Sequence, residues 1–235
     1  MVNVRHQTAL LVLASMTVLA AACSSSNQGT PSSTTSPTSP PTVAAAALGG
    51  LLLSAEQVST AMSTTGMTVT DNWDGMTRPM PGVPDECLPL QGTVEDKVYN
   101  NSGWNDIRGQ YLNDPGPPED GKHYVEQAVI FFPVAQYATD FFTASTQRWS
   151  ACANRSYPSS PPNGTPENWS VGPISNTNGF LTASRTEADS NNWTCQRAFT
   201  VSRNVAIDVM TCSYNPSDPA AVNIAHQIAA KVANH

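Results

Sequence analysis

The chain has 235 residues and a formal net charge of −7, with only 12% of its residues charged. That length fits one domain with a sizeable core, or two small ones. The acidic balance argues against nucleic acid as a partner and against a polybasic grip on anionic lipid; solubility rests on plentiful Ser, Thr, Asn and Pro.

The first element is a targeting signal. Arg5 and His6 precede an apolar run from Ala9 to Ala20, interrupted only by Ser15 and Thr17, and Ala20-Ala21-Ala22 leads directly to Cys23. This is the layout of a secretory signal peptide. The run is too short for a bilayer span of about 20 helical residues. Leu19-Ala20-Ala21-Ala22-Cys23 resembles a lipobox, although Leu19 stands four places before the cysteine where the usual pattern has three. The expectation is export, cleavage before Cys23, acylation of Cys23 with palmitate-type chains, and anchoring on the extracytoplasmic face of the cell membrane. Ser24 to Thr42 is nearly all Ser, Thr and Pro, and cannot bury a core. The chain therefore divides into a signal peptide (1–22), a lipidated cysteine with a disordered tether (23–46) and a folded domain (47–235).

In the folded part, Ser54 and Gln57 form a capping box for a helix over about 55–65, with Leu53 able to staple onto Val58. A strand follows near 67–72. A Pro-rich loop, 77–89, carries Cys87, and a short helix is expected within 93–100. Two strands, 105–112 and 124–132, flank the loop Asn113-Asp114-Pro115-Gly116-Pro117-Pro118. The clearest helix is 134–152, with Val134, Ala138, Phe141, Ser145, Trp149 and Cys152 on one face. A polar loop spans 154–168. Strands are read near 169–171, 180–187, 194–202 and 205–213. Asp218-Pro219 opens a last helix that buries Ala221, Ile224, Ala225, Ile228 and Val232. Adjacent strands with short links imply an α+β fold, a central antiparallel sheet with packed helices, in a single domain.

Apart from Cys23, four cysteines remain, and an even number in an exported chain implies two disulfides. None lies within four residues of another, which disfavours zinc. If the 195–212 segment turns at Arg203-Asn204, Ser202 faces Val205 and Cys195 faces Cys212 at a non-hydrogen-bonded position, where α carbons approach to about 4.5 Å. That register sets Arg197 diagonal to Asp208 and turns Ala198, Thr200, Ile207 and Val209 to the other face, the expected core. A three-residue loop is the alternative, since Arg-Asn is a weak primed turn. Cys87 then pairs with Cys152 by elimination.

The sequence lacks G-x-S-x-G, H-E-x-x-H, P-loop and G-x-G-x-x-G patterns. His123 begins a strand, where it either pairs with Glu126 or stands as an exposed loop residue. Asp114, Glu119 and Asp120 are read as a solvated acidic loop in preference to a calcium site, and no metal or cofactor is expected. Trp73, Trp104, Tyr111, Trp169 and Trp193 lie in or beside loops. Trp104 and Tyr111 beside Arg108 would form a groove for a sugar or an apolar ligand; the alternative is that these rings anchor loops onto the sheet.

Several stretches resemble one family: Leu51-Leu52-Leu53-Ser54, Glu86-Cys87-Leu88, Tyr124-Val125-Glu126-Gln127-Ala128-Val129, Phe141-Phe142 ahead of Trp149-Ser150-Ala151-Cys152, Trp193-Thr194-Cys195-Gln196-Arg197-Ala198, Asn204-Val205-Ala206-Ile207-Asp208-Val209 and Ile224-Ala225-His226-Gln227-Ile228-Ala229. The order and the four cysteines are similar to the PknH-like extracellular sensor domains of mycobacterial receptor Ser/Thr kinases and related free-standing lipoproteins. The resemblance covers about 51–235. It implies a central antiparallel sheet with helices, two disulfides and a groove for an unknown ligand. With no kinase domain or transmembrane helix in the sequence, autophosphorylation is not carried over. The expectation is a non-enzymatic, membrane-tethered lipoprotein of the cell envelope. Its sensor-like domain would bind an envelope small molecule, glycan or lipid. The alternatives are an envelope scaffold lipoprotein and a secreted hydrolase.

Overall fold

The computed structural model describes residues 42–114, 122–161, 164–216 and 218–235. The signal segment, Cys23, most of the tether, and Glu119 and Asp120 of the acidic loop lie outside the described residues. Among the described residues nine strands form one antiparallel sheet: β1 (Thr68–Trp73), β2 (Asp106–Asn113), β3 (His123–Phe131), β4 (Ser156–Ser159), β5 (Glu167–Val171), β6 (Ser175–Thr177), β7 (Phe180–Glu187), β8 (Trp193–Ser202) and β9 (Val205–Tyr214). The order across it is β1-β2-β3-β9-β8-β7-β5-β4, with β6 sharing the outer edge of β7. Among the described residues six α-helices pack on it: α1 (Leu48–Leu51), α2 (Ala55–Ala61), α3 (Leu88–Gln91), α4 (Asp96–Tyr99), α5 (Ala135–Ser150) and α6 (Ala220–Ala233). No described helix is long and apolar enough to cross a membrane.

Both faces of the sheet are buried, because period-two alternation sends apolar residues to each side. Ala198, Ile207 and Val209 meet α1, α2 and α6, where Leu53, Val58, Ile224, Ile228 and Val232 complete one core. Ile107, Ala128, Ile130, Phe199 and Met210 face the opposite way and meet Phe141 and Trp149 of α5 with Tyr99 of α4. The expectation of one core face is corrected here: the face carrying Cys195, Arg197 and Asp208 is a second core.

The N-terminal segment is laid along the first face by two buried amides. Gln127 of β3 accepts from Leu53 N at 3.0 Å and donates to Leu53 O at 2.9 Å. Asn204, in the β8–β9 turn, accepts from Val43 N at 2.8 Å and donates to Val43 O and Phe132 O, each at 3.0 Å. Ser54 and Gln57 make the expected capping box on α2.

The hairpin register is the one read from the sequence, Ser202 opposite Val205 and Cys195 opposite Cys212. The disulfides join Cys195 to Cys212 and Cys87 to Cys152. Arg197 and Asp208 pair with Nη2–Oδ2 at 2.6 Å and Nε–Oδ1 at 2.9 Å, both side chains almost wholly buried. Tyr99 donates to the same carboxylate at 3.0 Å and Arg197 reaches Pro89 O. These bonds draw the segment from Thr77 to Tyr99 over the second face, and Cys87–Cys152 ties it to the end of α5.

Other expectations need correction. Val134 is the exposed residue before α5 and belongs to no buried face. Asp218 does not cap α6; it accepts from Ser63 at 3.1 Å instead. The loop 154–168 contains β4, an edge strand that tolerates Pro158. The weakly patterned β6 is a further strand, wholly exposed.

Candidate binding cleft

At the end of the sheet opposite the Arg203-Asn204 turn, the 77–95 segment stands off the second face and leaves a cleft of about 370 Å³. One wall is sheet: Tyr111, Tyr124, Glu126, Arg185, Trp169 and the Cys195–Cys212 bridge. The other is the segment itself, with Thr77, Gln91, Thr93 and Glu95. Strand alternation explains the first wall, since β3, β9 and β8 expose every second residue on this face. The second wall is held by backbone pairing of Thr77 with Val94 and Asp96.

The chemistry of the walls is unusual for a protein interior. Arg185 is buried; its Nη1 donates to Gln91 Oε1 at 2.6 Å and to Tyr157 OH at 3.0 Å. Its guanidinium lies 4.1 Å from the centroid of Trp169, whose indole N–H is fixed by Glu167 at 2.9 Å. Arg185 Nε has no hydrogen-bond partner. Glu95 is 3% exposed, and its Oε2 is also without a partner. Burial pushes the Glu95 carboxyl up to about 7, against the pull of Arg197 and Arg185. Burial likewise raises Glu126 to about 7, although the neighbouring Thr93 favours the ionised form. Burial also raises the Tyr111 and Tyr124 hydroxyls, as does the nearby Glu126 charge. Tyr111 stacks on Tyr124 at 6.1 Å and meets Trp73 in a tilted contact at 5.5 Å.

A wider groove of about 520 Å³ lies between α3, α4 and the end of α5. Its charges are satisfied within the surface: Lys97 meets Asp85 at 3.6 Å and Arg148 donates to Val98 O at 3.1 Å. Size favours that groove, but unmet buried polar groups distinguish the smaller cleft, so we assign the site there.

The residues expected to form a groove are dispersed. Tyr111 lines the cleft. Arg108 is engaged with Asp106 at 2.5 Å and sits at an alternate strand position, on the opposite face of β2 from Tyr111. Trp104 packs at the edge of the second core. Trp169 and Trp193 line the cleft, while Trp73 supports it from behind through Tyr111. His123 pairs with Asp114 at 2.5 Å, where Glu126 or solvent had been expected. No cluster of metal-ligating side chains occurs among the described residues. Glu95, Glu126 and Arg185 were missed in the sequence; the available signal was Glu126-Gln127 in the middle of an otherwise apolar strand. Consecutive strand positions face opposite ways, so that pair marks a buried polar group on each face.

Residues 43–231 match the PknH-like extracellular domain family. The serine/threonine-protein kinase PknH of Mycobacterium bovis is 30% identical over 183 residues, 77% of this chain and 29% of that protein. PknH of Mycobacterium tuberculosis H37Rv is also 30% identical, over 77% of this chain and 28% of its own length. The chain thus spans less than a third of these kinases. The crystal structure of the extracellular domain of PknH from Mycobacterium tuberculosis superposes with a TM-score of 0.77 at 28% identity, covering 83% of this chain and 99% of that one.

Proposed function

The chain belongs to the PknH-like extracellular domain family, and from that premise we propose that it is an extracytoplasmic, membrane-tethered domain that binds a ligand in the cleft between the sheet and the 77–95 segment, without catalysing a reaction. The observation that carries this reading is that Glu95 Oε2 and Arg185 Nε, and with them Thr93 Oγ1, are buried polar atoms with nothing to bind on residues that line a single cleft. A buried unpaired polar group costs about 1–3 kcal/mol. A ligand that met them would recover that cost as affinity.

Tethering rests on the lipobox-like sequence ending at Cys23 and on the Ser/Thr/Pro segment after it. Two or more acyl chains there would anchor the protein stably, where a single chain binds only marginally. Feeding cells a clickable fatty acid tests this: label on the wild type and none on Cys23→Ala is expected, and equal label on both refutes it.

The binding reading is tested by titrating the isotopically labelled protein with solvent-extracted cell-envelope material and following backbone amide shifts. Shifts centred on residues 91–95 and on β3 and β7 are expected. Saturating shifts confined to other surfaces, or none at all, would contradict it.

A further inference from the structure

We propose, on the basis of the cleft reading above, that the ligand is a neutral polyhydroxylated molecule of sugar type, gripped by Glu95 on the 77–95 segment and by Arg185 on β7. The unmet groups are of opposite kinds. Arg185 Nε can only donate, and the Glu95 carboxyl accepts. A hydroxyl serves either, because it donates and accepts at once, and neighbouring hydroxyls on one ring serve both.

Other ligand classes fit less well. An anion would want the fork of Arg185, but its Nη1 is spent on Gln91 and Tyr157 and its Nη2 lies 3.6 Å from Met210 Sδ. Three of its five N–H donors are thereby engaged, and Glu95 and Glu126 would repel an anion approaching the other two. A cation would suit Glu95 but would face Arg185, whose charge already acts on that carboxyl. The ionisable groups of the cleft are also of both signs, Glu95, Glu126 and Glu167 beside Arg78, Lys122 and Arg185, with no field of one sign to select an ion. An acyl chain would leave both buried polar atoms unmet. The half-buried rings of Tyr111, Tyr124 and Trp193 supply apolar surface for the C–H face of a sugar ring. The volume suits a mono- or disaccharide.

The test is calorimetric titration of the full chain, in mild detergent, with methyl glycosides and disaccharides of glucose, mannose and galactose. Inorganic phosphate, spermidine and palmitate are run beside them. Saturable binding of a sugar, weakened about tenfold or more by Glu95→Met, is expected. Glu95→Gln, which keeps the shape but replaces one acceptor oxygen with a donor, takes its place if Glu95→Met fails to fold, and a smaller but measurable weakening is then expected. Binding of phosphate, spermidine or palmitate in place of sugar, weakened by the same variants, would leave the cleft as a binding site and overturn the sugar assignment. Sugar binding untouched by the Glu95 variants would overturn the site, and no binding by any sugar would overturn the proposal.

Discussion

Asn204 holds Val43 by both of its backbone groups, 161 positions apart in the chain. The side-chain amide thus does for Val43 what a neighbouring strand would do, while also meeting Phe132 O. Asn204→Ala strands three buried backbone groups, so a loss of about 2–4 kcal/mol is expected. Urea unfolding read by tryptophan fluorescence measures it; a change under 0.5 kcal/mol, the usual range for surface sites, would mean the clamp is dispensable.

The Arg197–Asp208 pair stitches the 77–99 segment to the hairpin through Tyr99 and Pro89. Burial works against the Arg197 charge, and Asp208 outweighs it, so Arg197 is held protonated. Asp208→Asn leaves a buried cation with weakened partners and should cost about 3–5 kcal/mol. The double change Arg197→Met with Asp208→Leu should cost less than that single one. A double variant weaker than Asp208→Asn would show that the charges stabilise the fold outright.

Glu126 makes the fold sensitive to pH. Its carboxyl is raised in the folded state from 4.5 to about 7, so between those values the folded protein holds more protons than the unfolded chain. Stability therefore falls as pH climbs from about 4.5 to about 7 and then levels. Glu126→Gln stays neutral and loses that share of the slope. It should be more stable than the wild type at pH 8 by about 1–3 kcal/mol, and close to it at pH 4. Denaturant midpoints at both pH values check this; parallel pH profiles for the two proteins would refute it.

Gly109 is required by Trp73. A β carbon at 109 would stand 2.1 Å from the indole of its cross-strand partner. Gly109→Ala should displace Trp73 and cost about 1–3 kcal/mol. Adding Trp73→Ala should recover part of the loss, a coupling visible in thermal melts of the four proteins of the cycle. Strict additivity would show that the two residues do not compete for space.

Much of this fold was legible because local patterns agreed with one another. The cysteine spacing and the alternation in 194–213 led to one register, and the spacing in α5 and α6 picked out Ala138, Phe141, Trp149, Ile224 and Ile228 as buried. The second core was not legible, since alternation says which residues share a face and not whether both faces are covered. β4 was hidden by Pro158 and by its place at the sheet edge. The cleft was hidden for a different reason. Glu95, Glu126 and Arg185 come from a loop and two separated strands, so it takes the sheet order, the Arg197–Asp208 contacts and the Cys87–Cys152 bond to bring their chemistry together.

The most direct test of ligand binding in the cleft is native mass spectrometry of the full chain taken from the membranes of a mycobacterial host, comparing wild type with Glu95→Met. The account predicts a discrete additional mass on the wild type that is lost or sharply reduced in the variant, with both proteins folded. The same mass on both proteins, or none on either, would contradict it.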